Sequence, residues 1–93
     1  MTKPISMKVY LKDLKTGKEI TGVIKIEDGI AVTVFNDKTI ANKLFINEFN
    51  HGNTNVKFDV SANALIEKFP TLTSTEIYNK IKGQLERSGG KAL

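Results

Sequence analysis

Apolar and polar residues alternate from Ile5 to Leu11, where Ile5, Met7, Val9 and Leu11 are separated by Ser6, Lys8 and Tyr10. A period of two is the mark of a strand with one buried face, and it predicts a first strand over 5–12. The polar stretch 13–18 contains Gly17, suited to the left-handed backbone of a tight connection, and the alternation resumes with Ile20, Ile24 and Ile26. A four-residue loop over 14–17 sets Asp13 opposite Lys18, Lys12 opposite Glu19 and Leu11 opposite Ile20, so that unlike charges meet across the pair.

The next connection is Asp28-Gly29. A two-residue type I′ turn suits that dipeptide, but it places Ile26 opposite Ala31 and divides the apolar residues between both faces. A three-residue loop over 27–29, with Gly29 as a bulge, sets Ile26 opposite Ile30, Ile24 opposite Val32 and Gly22 opposite Val34. That arrangement gathers one apolar face, and on this criterion it is the expected one. The meander 5–12, 19–26 and 30–35 then carries Val9, Leu11, Ile20, Ile24, Val32 and Val34 on its core face. Lys8, Tyr10, Lys12, Thr21, Val23, Lys25, Ala31, Thr33 and Phe35 lie on the other.

Beyond the meander the period changes. Ile40, Leu44, Phe45 and Phe49 fit a helical stripe over 37–49 with Asp37 as its cap, although Leu44 and Ile46 also alternate as in a strand. Gly52, in the turn-rich run 50–55, is placed to end that helix. Val56, Phe58 and Val60 alternate as a fourth strand. Ser61 is suited to cap a short helix carrying Leu65, Ile66 and Phe69 that Pro70 stops. Thr73 and Glu76 form a capping box that opens a last helix to about Ser88, with Ile77, Ile81 and Leu85 on one stripe. The fold class is therefore α+β: an antiparallel meander of three strands with a fourth, packed on one face by two or three helices, in the order β-β-β-α-β-α-α. The 93 residues form a single domain, with 1–4 and 89–93 expected as loose tails.

Composition narrows the chemistry. There is no cysteine, which excludes disulfides and thiolate nucleophiles and suits a reducing compartment. The longest apolar runs, such as Leu44-Phe45-Ile46, are far too short to span a bilayer, and Met1-Thr2-Lys3-Pro4 lacks the apolar block of a signal peptide. Cytoplasmic location without membrane insertion is expected. The single histidine, His51, lies in a Gly/Asn-rich turn, where a solvated imidazole is commoner than a catalytic one. Asp13, Glu19, Glu27, Asp28 and Asp59 all fall on rims or turns, and no metal-ligand spacing or nucleotide-binding glycine pattern is present. The expectation is no enzyme, no metal and no cofactor.

Two binding functions fit what remains. In the first, the chain is a small accessory or regulatory domain that docks on a larger protein, with Tyr10, Val23, Phe35 and Tyr78 as interface candidates. Its size and lysine-rich composition suit accessory proteins of phages or other mobile elements, and self-association through the edge strand 5–11 is a variant. In the second, the net charge of +4 serves nucleic-acid binding. Lys8, Lys12 and Lys25 would meet phosphates and Tyr10 or Phe35 would stack on bases, while Lys80, Lys82, Arg87 and Lys91 would add a second basic element from the last helix and tail. Thirteen of the fourteen cations are lysine, whereas base-reading surfaces favour the arginine fork, and a solvated sheet face is commonly rich in lysine. Protein docking is therefore the preferred reading.

Overall fold

The computed structural model of the chain describes residues 4–13 and 15–93. Six strands form one sheet: β1 (Ile5–Lys12), β2 (Glu19–Glu27), β3 (Ile30–Phe35), β4 (Val56–Asp59), β5 (Ala64–Lys68) and β6 (Gly90–Ala92). Their spatial order is β4-β5-β3-β2-β1-β6, and every neighbouring pair is antiparallel. Two helices, α1 (Lys38–Asn50) and α2 (Ser74–Arg87), complete the fold. The α+β class and the meander β1-β2-β3 are as the periodicity predicts. The sheet has six strands rather than three or four, and two helices account for the helical layer.

The β1–β2 hairpin has the expected register, with Lys12 opposite Glu19 and Leu11 opposite Ile20. The loop expected over 14–17 includes Leu14, which lies outside the described residues. The β2–β3 hairpin corrects the expectation. Ile26 faces Ala31, Glu27 faces Ile30 and Gly22 faces Phe35, so the connection is the two-residue turn at Asp28 (φ 51°) and Gly29 (φ 76°). Positive φ at both central residues is the type I′ geometry, whose twist matches that of the strands. The turn preference outweighs the gain from gathering every valine on one face. A one-residue slip exchanges the two faces of a strand, so Ala31, Thr33 and Phe35 are buried while Ile30, Val32 and Val34 lie opposite. Gly22 makes room for the Phe35 ring: a Cβ at position 22 would stand 3.1 Å from Phe35 Cδ1 and 2.9 Å from the Val34 carbonyl oxygen.

Helix α1 is capped by Asp37, whose carboxylate accepts hydrogen bonds from the amides of Thr39 (2.8 Å) and Ile40 (3.3 Å). It ends in a Schellman turn, with the amide of Gly52 donating to the carbonyl of Phe49 and that of Asn53 to the carbonyl of Glu48. Its buried positions are Ala41, Leu44 and Glu48, so the stripe is rotated from the expected one and Phe49 is exposed. The capping box of α2 forms as predicted, and Ile77, Ile81 and Leu85 are buried.

The helix expected after Ser61 is instead a strand. Asp59, not Ser61, provides the cap: its carboxylate accepts from the Ser61 amide and hydroxyl. One 3₁₀ turn over Val60–Ala62 leads to Asn63 in the left-handed region (φ 52°, ψ 36°), which turns the chain back along β4. Leu65 and Glu67 then point to the helix side while Ile66 and Lys68 alternate to the other. The span between Ser61 and Pro70 is too short for helix nucleation to be repaid, whereas a strand there bonds to β3 and β4 at once.

The carboxyl-terminal segment 89–93, expected to be loose, contributes β6, which pairs with Val9–Leu11. The amide of Leu93 donates to the Lys8 carbonyl (3.1 Å). That pairing occupies the part of the 5–11 edge at which the self-association variant would add a second copy. Residues 1–3 of the expected amino-terminal tail lie outside the described residues. Val9, Leu11, Ile20, Ile24, Ile26 and Phe35 of the sheet pack under Ala41 and Leu44 of α1 and Ile77, Ile81 and Leu85 of α2. Both helices thus lie on one face of the sheet, and among the described residues no helix covers the other face.

Candidate functional site

The uncovered face can be read in rows across the strands. One row runs Lys57, Ile66, Val32, Lys25, Ser6, and the next runs Asp59, Ala64, Val34, Val23, Lys8. Lys68, Ile30 and Glu27 bound these rows on one side. Thr21, Tyr10 and Lys91 bound them on the other. Its middle is aliphatic: Val34 is 45% exposed, Ile30 39% and Val23 38%, with Val32 and Ile66 half-buried between them. Tyr10, 40% exposed, stands on β1 with Lys8 and Lys12 two residues to either side and Lys91 opposite. The centre forms a shallow apolar depression between Val23 on β2 and the three β3 side chains Ile30, Val32 and Val34. Solvent-facing strand positions are usually polar, so contiguous β-branched side chains on three adjacent strands are the feature of this face that folding alone does not require.

Of the interface candidates taken from the sequence, Tyr10 and Val23 lie on this face. Phe35 does not: it is 3% exposed and belongs to the core, as the β2–β3 register dictates. Tyr78 is half-buried on α2 and packs against the core, on the opposite side of the molecule. Lys8, Lys12 and Lys25 share the uncovered face with Tyr10, whereas Lys80, Lys82 and Arg87 belong to α2 in the helical layer. The nucleic-acid set is thus split between two sides, with Lys91 of β6 beside Tyr10 and the Phe35 ring withdrawn into the core, and does not form one surface. Sequence reasoning placed Val32 and Val34 in the core and left Ile30 and Ile66 out of the site. The Asp28-Gly29 dipeptide held the signal that would have found the three β3 residues.

A second polar cluster lies between the end of α1, β5 and α2. Glu48 and Glu67 are both buried. Glu67 Oε2 accepts from Gln84 Nε2 (2.9 Å) and Asn53 Nδ2 (3.1 Å), and Glu48 pairs with Arg87 Nη2 at 3.3 Å. Burial pushes the Glu67 carboxyl above the ordinary range, and the two amide donors oppose that shift. A polar crevice of about 350 Å³ borders this cluster, with His51, Asn53, Lys80 and Arg87 among its walls. Its polar groups bond chiefly to one another and tie the two helices to β5, a structural role that accounts for their burial. Glu48 was legible as part of a buried stripe only through its spacing from Ala41 and Leu44, and an acidic residue there gives no apolar signal. Among the described residues no three His, Asp or Glu side chains converge as metal ligands, and no helix is long and apolar enough to cross a membrane.

The fold and this face define an α+β domain with a six-stranded antiparallel sheet, helices on one face and an aliphatic, lysine-edged surface on the other. No family model, no curated protein and no solved structure matches the chain.

Proposed function

We propose that this chain is a non-enzymatic protein-binding module, accessory or regulatory in role, that docks on a larger partner through the uncovered face of its sheet. The observation that carries the reading is the contiguous aliphatic surface of Val23, Ile30, Val32, Val34 and Ile66. Interfaces desolvate an apolar centre inside a polar rim, and lysines on β1, β2, β4 and β5 supply such a rim. Nucleic-acid binding is less well supported. Single-strand platforms stack bases on aromatic rings, and with Phe35 in the core Tyr10 is the one aromatic on this face among the described residues, while its centre is made of valine and isoleucine.

The test is affinity capture from the source cell with three baits: the wild-type domain, Val34→Glu on the uncovered face and Lys82→Glu on α2. A partner retained by the wild type and by Lys82→Glu, lost with Val34→Glu and held at high salt supports the reading. A bound species that high salt strips away and that absorbs as nucleic acid would overturn it, because phosphate-driven binding falls steeply with salt. Both substituted side chains are exposed, so each variant should remain folded, which the dispersion of its amide spectrum checks.

A further inference from the structure

The polarity of the uncovered face is not symmetrical. Along β3, Ile30, Val32 and Val34 point outward in succession, spaced about 6.8 Å apart. Along β1, Lys8, Tyr10 and Lys12 do the same, with Lys91 of β6 beside Tyr10. The two stripes are separated by β2 alone, about 10 Å apart across the sheet, and they are staggered along it: Lys8 is level with Val34 through Val23, Lys25 of β2 stands beside Val32, and Tyr10 and Lys12 lie beyond the end of the β3 stripe. Among the described strand residues of this face, the lysines Lys8, Lys12, Lys25, Lys57, Lys68 and Lys91 outnumber the carboxylates Glu19, Glu27 and Asp59. The imbalance is greatest on the β1 side, where Glu19 opposite Lys12 is the one carboxylate paired across from that stripe.

Resting on the docking reading above, we propose that the partner presents an acidic amphipathic helix that lies along β3, with aliphatic side chains on Val23, Val32 and Val34 and its carboxylates over Lys25 and Lys8. The dimensions agree: a helix with its side chains is about 10 Å across, so one seated on β3 covers Lys25 on the adjacent strand and reaches Lys8, about 10 Å away and level with Val34. The outward residues of β3 span about 14 Å, the length of roughly nine helical residues, enough for aliphatics at i, i+3, i+4 and i+7. Charge complementarity selects the acidic flank. A second copy of the chain is disfavoured as the occupant, because two such faces would bring an excess of lysines against one another.

The experiment is selection from a displayed library of helical peptides that share an aliphatic frame at i, i+3, i+4 and i+7, with flanking positions varied among Glu, Lys, Gln and Ser. The expected result is enrichment of Glu over Lys along one flank, with selected peptides shifting the amide signals of β1, β2 and β3. Affinity should fall roughly tenfold or more with Lys8→Glu combined with Lys25→Glu, and vanish with Val34→Glu. Binders without a charge preference that are still lost with Val34→Glu would overturn the acidic helix and leave the docking surface standing. Binders indifferent to Val34→Glu, or no binders at all, would overturn the acidic helix, and the first of these would also move docking away from this face. Two further probes are an oligothymidylate and phosphatidylserine vesicles. If either shifts the β1 lysines while Val34→Glu has no effect, the face is a polyanion surface and both proposals fall.

Discussion

The β2–β3 register decides which side chains the domain shows to a partner, and it can be tested without knowing that partner. With Gly22 opposite Phe35, the Phe35 ring is buried and its neighbour Val34 is largely outside. Truncating Phe35 to Ala removes a fully buried aromatic and leaves a cavity over Gly22, a change that costs about 3–5 kcal/mol. Val34→Ala removes two methyl groups from a half-exposed site and should cost about 1 kcal/mol or less. A domain of this size has a stability of roughly 5–15 kcal/mol, and each kcal/mol moves the melting temperature by about 4–8 °C. Phe35→Ala should therefore lower the midpoint by at least about 12 °C and Val34→Ala by a few degrees. Urea unfolding followed by circular dichroism reads the difference, and Phe35→Leu provides a milder member of the series should Phe35→Ala be unfolded at room temperature. In the alternative register, with the three-residue loop, Val34 is inside and Phe35 outside, and the order reverses. Val34→Ala costing more than Phe35→Leu would refute the type I′ hairpin and, with it, the aliphatic face on which the docking proposal stands.

Three further outcomes follow from particular contacts. Gly22→Ala places a methyl group against the Val34 carbonyl and the Phe35 ring and should destabilise the domain by about 1–3 kcal/mol, read by the same unfolding curve. Ser74 Oγ is buried without a hydrogen-bond partner among the described residues, so Ser74→Ala should be neutral or stabilising by up to about 1 kcal/mol. Glu67 has a carboxyl raised above 4.5 chiefly by burial. The folded state therefore holds its proton to a higher pH than the unfolded state does, and stability declines as pH rises from about 4.5 through the folded value. Glu67→Gln should flatten that decline, gaining on the wild type at neutral pH relative to pH 4, and equal pH profiles for the two proteins would show that Glu67 is not desolvated.

Much of the fold was legible because it is written in local signals. The alternation in 5–11, the Asp37 cap and the Thr73/Glu76 capping box each specify an element through residues that touch within that element, and the structure contains them. Segment 61–69 was misread because Leu65, Ile66 and Phe69 fit a short helical stripe as well as a strand. The choice is made by partners distant in sequence: β5 fills the position between β3 and β4. The strand β6 gives almost no apolar signal, since Gly90 and Lys91 contribute little burial of their own. Gly90 is instead needed for close approach to Leu11, whose side chain occupies the space that a Cβ would take.

The misjudged hairpin carries the functional lesson. Maximising apolar residues on one face is a sound rule for a sheet whose other face meets only water, and applied here it places Val32 and Val34 in the core. Asp28-Gly29 contradicts it, and the turn prevails because its two positive φ angles fix the register before side-chain burial is counted. Three β-branched residues of β3 are then held outside by the same geometry that brings Phe35 in. Where local turn chemistry and the expected apolar face disagree, the residues stranded outside are those whose presence folding does not explain. On this chain those residues form one continuous surface with Val23 and Ile66, and the docking proposal rests on that conflict rather than on hydrophobicity alone.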